Sequence, residues 1–345
     1  MSHNPRIWID LDNAPHVHFF APLLADLSSC GYEPLISVRS FGQTEELAHA
    51  YSLHCTTIGS HAALRSNYGR ILETLRRATQ LIEFGLAHRP VAAVSHGSRA
   101  LTLAAAALGI PCIALYDYEH VSTDVFHRLC TRVLVPEILL RHSATRSGNS
   151  IGYPDFKEEV YVYQSQMNSA ILQQLDLDPN RLVVTVRPPA TWAHYHSDHT
   201  TTLFHALIEH LRTYKEAQVI VLARTCEQAT HLVNDFALDR PPFRITAAAV
   251  DGLSLVCCSD AVFSGGGTMS REAALLGAAS YSIFAGTPGA VDGELERLGK
   301  LTMLRSVDEI AQLRLYKRSR STFTRPQTHT RQFILDQILT LAAQG

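Results

Sequence analysis

Hydrophobic and polar residues follow two patterns that alternate along the chain. Short runs of β-branched and apolar residues are typical of strands that a parallel sheet buries on both faces, and longer segments with helical periodicity separate them. In one such segment, apolar residues recur at helical spacing between Ile71 and Ile82. Its other side carries Glu73, Arg76 and Arg77, which predicts an amphipathic helix. The predicted strands are residues 7–9, 35–38, 56–58, 91–94, 112–115, 133–135, 182–186, 219–222, 261–263 and 281–284.

A change of pattern near the middle of the chain predicts a domain boundary. Within residues 141–168, glycines, a proline and the charged run 157–159 interrupt the alternation, which then restarts. We therefore divide the chain into residues 1–165 and 166–345, and the second part includes a final amphipathic helix at 333–342. A chain of 345 residues is also longer than a single core usually supports. The sequence predicts an α/β protein with two Rossmann-like parallel-sheet domains that face a central cleft.

Composition narrows the classes of partner. The 30 basic and 32 acidic side chains nearly cancel, so the chain has no overall field that would hold nucleic acid. Seven cysteines are scattered without Cys-x-x-Cys spacing, which is typical of reduced cytosolic thiols. Asp10 and Asp12 stand where a signal peptide needs its apolar stretch, and a glycine and a proline break the longest apolar run, 100–115. We predict a cytoplasmic protein without a nucleic-acid partner.

A glycine turn in the second half has the sequence context of an anion-binding site. Residues 261–263 predict a strand, the glycines at 265–267 a tight turn, and residues 268–276 a helix. Glycines let the backbone approach a phosphate closely, and the N–H groups and dipole of the following helix favour its negative charge. No Gly-Lys-Ser/Thr follows, so the turn is not a Walker loop.

Side chains after the glycine turn extend this prediction to a sugar. The hydroxyls of Thr268 and Ser270 add donors, and Glu272 is placed about one turn into the helix, where it can accept from ribose hydroxyls. The alternative is a simple βα turn followed by a surface glutamate. The residues predicted to bind a nucleotide sugar here are Ser264, Gly265, Gly266, Gly267, Thr268, Met269 and Glu272.

Two arginines follow neighbouring predicted strands of the same half. Arg187 comes after the strand 182–186, and Arg224 comes after the strand 219–222. Open α/β sheets bind ligands at the carboxyl ends of their strands, and two guanidinium groups there would match a diphosphate. Each arginine alone would more often be a surface or salt-bridged residue, but together with the glycine turn at the same predicted edge they predict a phosphate site, and we predict that both bind the phosphates.

Polar clusters also follow three predicted strands of the first half, at residues 10–18, 95–98 and 117–120. Histidine titrates near neutral pH and can act as a general base beside a carboxylate, and His16 is the leading candidate. Alternatively, Asp12 and Asn13 only cap the following helix. The predicted catalytic residues are Asp12, Asn13, His16, His96 and Glu119.

Two groups of residues have side chains that metals prefer, but neither has a recognised ligand spacing. They are the group Asp10, Asp12, His16 and His96, and the group His194, His196 and His199. We therefore predict no metal and no cofactor. A basic stretch at 314–331, which includes Arg320 and Arg325, predicts a solvated connection with at most peripheral membrane contact.

Three stretches of the chain resemble the family known as domain of unknown function 354, and the likeness covers nearly the whole chain. The stretches are residues 8–20 (WIDLDNAPHVHFF), 41–46 (FGQTEE) and 264–277 (SGGGTMSREAALLG). That family is itself similar to the GT-B superfamily, which includes nucleotide-sugar glycosyltransferases and non-hydrolysing UDP-N-acetylglucosamine 2-epimerases. The resemblance implies two Rossmann-like domains, with the nucleotide held mainly by the C-terminal one and the catalytic group presented by the N-terminal one.

The resemblance also bears on single residues. In the glycosyltransferase that adds N-acetylglucosamine to a lipid-linked peptidoglycan precursor, a glutamate after the glycine turn holds the ribose, and Glu272 falls at the matching place. His16 is similar to that enzyme's N-terminal loop histidine. The epimerase likeness departs at Ala14, Ser98 and Tyr116, where that family has an arginine, an aspartate and an acidic residue. Glu119 could substitute for the last of these.

Three functions remain open on the sequence alone. The first is a glycosyltransferase that uses a nucleotide-sugar donor, most simply a UDP-sugar, and an acceptor that is lipid-linked or a cell-envelope polysaccharide. The second is an epimerase or hydrolase of the same sugar. The third is a nucleotide-sugar binder without catalytic activity.

Overall fold

The computed structural model describes residues 4–60, 67–142, 145–163, 168–189, 198–248, 250–318 and 329–344. The chain divides into two compact units. The first unit consists of Met1–Tyr161 together with Gln327–Gly345, and the second unit is Val162–Pro326. The boundary lies a few residues before the predicted one, and the C-terminal segment belongs to the first unit instead of the second.

The first unit is built on a seven-stranded parallel sheet with the order β3-β2-β1-β4-β5-β6-β7. The chain starts in the middle, proceeds outward to β3 and returns on the other side of β1, so β1 and β4 are neighbours at a topological switch point. The strands are β1 Arg6–Leu11, β2 Glu33–Ser40, β3 Cys55–Ser60, β4 Ala92–His96, β5 Cys112–Leu115, β6 Arg132–Pro136 and β7 Ser150–Tyr153. The helices between them are α1 Ala14–Ser29, α2 Thr44–Ala50, α3 Asn67–His88, α4 Arg99–Leu108 and α5 Asp124–Leu129.

The second unit repeats this plan with a six-stranded parallel sheet in the order β10-β9-β8-β11-β12-β13. Its switch point lies between β8 and β11, where Arg187 and Ser264 are register partners. The strands are β8 Val183–Arg187, β9 Gln218–Leu222, β10 Phe243–Thr246, β11 Ala261–Ser264, β12 Ala279–Ser282 and β13 Thr302–Met303. The helices are α6 Ala170–Gln174, α7 Asp198–Arg212, α8 Cys226–Phe236, α9 Gly252–Cys258, α10 Gly267–Leu275, α11 Ala290–Arg297 and α12 Val307–Gln312.

The last helix, α13 (Thr330–Ala342), packs within the first unit, in contrast to the prediction. Arg331 forms two hydrogen bonds of 2.6 Å with the carboxylate of Asp26 on α1, and Thr330 donates to the carbonyl of Pro154. Ile334, Ile338 and Leu341, on the apolar side of the helix, are fully buried. Sequence periodicity correctly indicates an amphipathic helix but carries no information about which sheet it covers.

The two sheets confirm the predicted fold class, and each of the ten predicted strands has a counterpart. Within the residues that the structure describes, the sequence analysis missed strands β7, β10 and β13. Strand β7 lies inside the segment 141–168 that we interpreted as a junction, because its glycine and polar composition is atypical of a strand. A Cβ atom at Gly152 would lie 2.7 Å from Leu140 Cδ1 and 3.2 Å from Glu137 Cα, so a larger residue there would require these neighbours to shift.

The buried side of helix α3 differs from the one that its amphipathic pattern predicts. Arg77, assigned to the polar side, is buried, whereas Ile71, Leu72 and Leu75 are exposed. The reason is that Arg77 reaches a buried carboxylate, Asp10, and this ion pair fixes which side of the helix faces the sheet. Within the described ranges, no helix has both the length and the hydropathy needed to cross a membrane.

Candidate functional site

Asp10, near the end of β1, is the centre of a fully buried polar network. Both of its oxygens accept hydrogen bonds of 2.8 Å from the guanidinium of Arg77. The hydroxyls of Ser37 and Ser98 donate to the same carboxylate at 2.7 and 2.6 Å. Ser98 also caps helix α4 by accepting the N–H of Leu101. Asp10 therefore ties β1 to β2, α3 and α4, and its oxygens are occupied by these donors.

Asp12 and Asn13 hold the loop between β1 and α1. Asp12 Oδ1 accepts from Arg77 at 3.1 Å and from Arg39 at 3.4 Å. Burial raises the pKa of Asp12, and the positive charges of the two arginines oppose this shift. Asn13 Oδ1 accepts the N–H of Ala14, so Asn13 caps α1 as the alternative interpretation of the sequence holds. Both residues position the segment that leads to His16.

His16, on the first turn of α1, belongs to a second polar cluster with His96, Asp117 and Lys157. Its ring centroid is 5.0 Å from that of His96, at the end of β4. His96 Nε2 lies 3.6 Å from Asp117 Oδ1, and Lys157 donates to Asp117 Oδ2. The structure thus brings together His16 and His96, the two histidines that the sequence predicts to be catalytic.

The environment of His16 determines its charge. Burial lowers the pKa of His16 well below its usual value, the positive charges of His96 and Lys157 lower it further, and Asp117 opposes them. His16 Nδ1 is shielded from solvent and has no hydrogen-bond partner in the part of the chain that the structure describes. His16 is consequently a neutral imidazole at pH 7 that can accept a proton.

Glu119 lies in a different group of side chains. Its Oε1 is 3.6 Å from His120 Nε2 and 3.7 Å from His142 Nε2. Tyr116 is one of the positions at which the sequence departs from the epimerases. Its hydroxyl forms a hydrogen bond of 3.0 Å with His127 Nε2. The acidic residue in contact with His96 is Asp117, which the sequence analysis included only within the cluster 117–120.

Lys157 was missed by the sequence analysis. The charged run 157–159 was interpreted as an interruption between domains, yet all three of its side chains are buried. They lie on a short 3-10 helix, Lys157–Val160, that follows β7. The signal that could have found Lys157 is the excess of charge in a segment otherwise flanked by aromatic and β-branched residues.

In the second unit, the glycine turn joins β11 to α10 as predicted. Gly265 donates its N–H to the carbonyl of Arg187 at 2.9 Å, which continues the pairing of β11 with β8. A Cβ atom on Gly265 would lie 2.7 Å from Pro189 Cα, so only glycine fits. Gly266 is the N-cap of α10 with an extended backbone. Size, and not a left-handed backbone, therefore accounts for glycine at position 265.

Hydroxyl groups stabilise the turn from within. Ser264 Oγ donates to the carbonyl of Gly266 at 2.8 Å and accepts its N–H at 3.1 Å. Ser270 Oγ lies 3.1 and 2.9 Å from the carbonyls of Gly266 and Gly267, so it is an internal donor and not the ligand donor that we expected. Because Gly266 has no side chain to cap the helix, an anion could accept the N–H groups of Gly267, Thr268 and Met269.

The two arginines lie at the same sheet edge as the glycine turn. Arg187 Nη1 donates to the carbonyls of Leu222 and Ala223 at 3.0 and 3.3 Å. Arg224 Nη2 donates to the carbonyl of Pro188 at 3.4 Å and would be 3.3 Å from a Cβ atom on Gly266. One guanidinium therefore lies directly beside the turn.

Electrostatics distinguishes Arg187 from an ordinary surface arginine. Burial lowers the pKa of Arg187 to about 9, the charge of Arg224 adds to this effect, and the charge of Glu272 opposes it. Glu272 itself is buried on α10. Arg271, the residue before Glu272, forms a buried bidentate ion pair with Asp292 of α11, with hydrogen bonds of 2.6 and 2.9 Å. This ion pair holds α10 against α11.

Across the described ranges, no group of three or more His, Cys, Asp or Glu side chains is arranged to hold a metal ion. Asp10 and Asp12, considered as ligands from the sequence, instead bind Arg77. His199 Nε2 lies 3.0 Å from the carbonyl of Arg305. The other histidines of its cluster, His194 and His196, and the tail residues Arg320 and Arg325 lie outside the described residues.

Solved structures similar to this chain include two epimerases and one further protein. The UDP-GlcNAc 2-epimerase of Methanocaldococcus jannaschii, in complex with UDP-GlcNAc and UDP, has a TM-score of 0.74 at 11% identity, covering 99% of this chain and 100% of that one. The Neisseria meningitidis UDP-GlcNAc 2-epimerase bound to UDP-GlcNAc has a TM-score of 0.72 at 12% identity, covering 89% and 90%. MurG of Acinetobacter baumannii has a TM-score of 0.53 at 13% identity, covering 98% and 99%. These likenesses show a GT-B-like fold.

Sequence comparison gives a curated relative and a family. An uncharacterized protein of Methanocaldococcus jannaschii is 25% identical over 318 residues, which cover 89% of this chain and 90% of that protein. Residues 5–341 match the model of the family described as "Protein of unknown function (DUF354)". Since this match spans almost the entire chain, the protein belongs to the DUF354 family.

Proposed function

We propose that the protein binds a nucleotide sugar and that the second unit holds its diphosphate. The observation that carries this proposal is the position of two guanidinium groups, Arg187 and Arg224, beside a glycine turn at the switch point of a parallel sheet. Backbone N–H groups at the start of α10 and two fixed arginine forks are complementary to phosphate oxygens. Glu272, one turn further, would accept from the ribose.

The electrostatics of the site supports an anionic ligand. Burial of the Arg187 guanidinium, and the nearby charge of Arg224, make its positive charge unfavourable in the ligand-free site, as the lowered pKa of Arg187 indicates. A diphosphate would offset this effect, and its negative charge would raise the pKa of Arg187 again. The similar epimerases were solved with UDP-GlcNAc or UDP, which supports a UDP-sugar as the ligand to test first.

For the reaction, we propose glycosyl transfer with His16 as the general base. A neutral imidazole can take the proton of an acceptor hydroxyl while the arginines and the dipole of α10 stabilise the departing diphosphate. None of these steps requires a metal or cofactor. The acceptor is proposed to be lipid-linked or a cell-envelope polysaccharide, and the seven free cysteines support a cytoplasmic location.

A second candidate, epimerisation or hydrolysis of the sugar, is favoured by the contacts of Asp117. The epimerase likeness was weakened by missing acidic groups, but Asp117 lies within 3.6 Å of His96 in the cluster of His16 and Lys157. A carboxylate and two imidazoles offer more than one group for proton removal and return. Such a set would act on a bound sugar without any acceptor.

Calorimetric titration with UDP, UDP-GlcNAc and the GDP, CMP and dTDP counterparts, followed by product analysis without acceptor, tests both candidates. Binding without turnover supports a transferase or a binder and leads to acceptor screening. Epimerised or hydrolysed sugar supports the second candidate. Failure of every nucleotide to bind would contradict the phosphate assignment.

Substitution of His16 separates the enzymes from the silent binder. We expect His16→Ala to retain nucleotide binding and to abolish turnover, because the imidazole takes the proton but does not touch the diphosphate. His54→Ala, which removes an exposed histidine of the same unit, is the matched control. Full turnover by His16→Ala would rule out this residue as the base.

A further inference from the structure

Helix α3 exposes an apolar stripe beside its buried face. The buried face includes Arg77, Ala78 and Leu81. In the stripe, large apolar side chains remain in contact with solvent. Their exposed fractions are 57% for Leu72, 49% for Leu75 and 62% for Leu86, and Tyr68 and Ile71 are exposed to 78% and 59%. Single exposed leucines are common, but a row of them on one helix indicates a surface that binds something.

The spacing of the stripe is that of a helix-pairing seam. Tyr68, Leu72, Leu75, Thr79, Ile82 and Leu86 follow one another at alternating intervals of four and three residues. This is the heptad alternation by which two helices pack side by side. At 1.5 Å per residue the seam is about 27 Å long, so it extends over most of the helix. A partner of matching shape is another straight helix with the same repeat.

The charges beside the seam identify the partner. Arg76 and Glu83 are seven residues apart on the same edge, each following a seam residue. Neither forms an ion pair with any residue that the structure describes. Around a two-fold axis beside Thr79, an antiparallel second copy of α3 places Leu72 opposite Leu86. The same axis brings Arg76 of one copy within one residue, about 1.5 Å along the helix, of the level of Glu83 of the other, twice, and Leu75 equally close to the level of Ile82.

We propose that α3 is a homodimerisation surface that pairs antiparallel with α3 of a second copy of this chain. A two-fold interface requires a self-complementary patch, and this seam is complementary to itself in both charge and apolar spacing. A membrane surface would favour a basic rim, whereas this rim combines Arg76 with Glu73 and Glu83. The mixed charges therefore favour a second copy over a lipid bilayer.

Pairing would also constrain the candidate site of the first unit. The buried face of the same helix carries Arg77, which binds Asp10 and Asp12 ahead of His16. A helix held on both faces keeps this arginine in place. One helix seam is smaller than a standard interface of about 800 Å² per partner, so we expect a dimer that dissociates in the micromolar range.

Sedimentation velocity of the full chain over a range of concentrations tests the proposal. We expect a reversible monomer–dimer equilibrium, and we expect Leu75→Glu to weaken dimerisation by about 30-fold or more, because the seam residue is buried twice in the dimer. Leu298→Glu, at an exposed leucine of the second unit, is the control and leaves the equilibrium unchanged. Circular dichroism melting of each variant shows that it is folded.

Charge reversal tests the antiparallel register. Arg76→Glu and Glu83→Arg each place like charges together and weaken the dimer by about tenfold, and the double variant restores it. A wild-type protein that is monomeric at every concentration would overturn the proposal, as would a dimer that is insensitive to Leu75→Glu. Monomeric protein that sediments with phosphatidylglycerol vesicles, and loses this binding in Leu75→Glu, would overturn it in favour of a membrane surface.

Discussion

The carboxyl-end edges of the two sheets carry polar groups of opposite character. In the second unit, two arginines beside a glycine turn concentrate positive charge, and both guanidinium groups donate to backbone carbonyls of the same sheet edge. In the first unit, the charged groups largely neutralise each other, and the histidine among them is neutral. The first arrangement favours a ligand with negative charge, and the second favours a positioned proton acceptor.

The difference indicates that binding and chemistry have separate physical requirements. Binding of a diphosphate benefits from positive charges that are concentrated at one edge of a sheet. A general base has to be neutral at the working pH, and burial near other cations achieves this for His16. The same fold, repeated in one chain, thus supports two different electrostatic environments.

The largest effect that would test this comparison is loss of the buried ion pair in the first unit. We expect Arg77→Ala to lower the free energy of unfolding by about 3–5 kcal/mol, because the carboxylate of Asp10 would remain buried without its cation. Urea denaturation measures the change. Arg128→Ala, at an exposed position of α5, is the control, and we expect a change within about 0.5 kcal/mol. A similar loss in both variants would show that the network around Asp10 has no special role.

The positive edge of the second unit is tested by Arg224→Ala. We expect it to weaken UDP binding by about 1.5–3 kcal/mol, the usual range for a hydrogen bond to a charged group. Arg224→Lys keeps the charge but loses the planar fork, and its affinity should be intermediate. Arg240→Ala removes an exposed arginine of the same unit and should bind UDP normally. Equal affinities in all of these variants would exclude Arg224 from the site.

Substitution by alanine should have different effects on stability and UDP binding at Gly265 and at Gly266, the first two glycines of the turn. Gly265→Ala forces a Cβ atom against the backbone of Pro189, and we expect a loss of stability of about 1–3 kcal/mol. Gly266→Ala meets only the flexible end of Arg224 at 3.3 Å, so it should spare stability and weaken UDP binding. Thermal denaturation and calorimetry distinguish the two outcomes. A stable Gly265→Ala protein with normal binding would contradict the packing argument.

The smallest effect concerns the pH dependence of stability in the first unit. The pKa of His16 is lower in the folded state than in the unfolded chain, so below about pH 6.5 the unfolded state binds more protons. Stability should fall with decreasing pH from about 6.5 towards the folded-state pKa, by up to about 1.4 kcal/mol per pH unit for this group. His16→Gln should reduce this slope, and His54→Gln should not. Identical slopes in the three proteins would show that His16 is not the neutral buried base.

Sequence patterns predicted most of the sheet framework but fewer of the side-chain contacts. Apolar runs revealed the strands because burial on both faces of a parallel sheet requires such residues. Strand β7 was missed because its glycine and polar composition is atypical of a strand. The glycine turn was predictable because its strand, its glycines and its helix follow one another directly in the sequence. The orientation of α3 was not, because the pairing of Arg77 with Asp10 joins residues that are distant in the chain.

The candidate site shows the same division. His16, His96, Arg187 and Arg224 could be named because each follows a predicted strand, and such ends converge at one sheet edge. The internal role of Ser270 and the selection of Asp117 over Glu119 depend on side-chain directions that no spacing encodes. The burial of Lys157 could not be predicted, because the charged run 157–159 is typical of an exposed segment.

The measurement that tests the central claim most directly is calorimetric titration with UDP at pH 7, on the native protein and on Arg187→Ala. Burial beside Arg224 lowers the pKa of Arg187, and the negative charge of a bound diphosphate should stabilise this buried cation. The account predicts that UDP binds the native protein and that Arg187→Ala binds it about tenfold more weakly or worse. Absence of binding, or equal affinities in the two proteins, would contradict it.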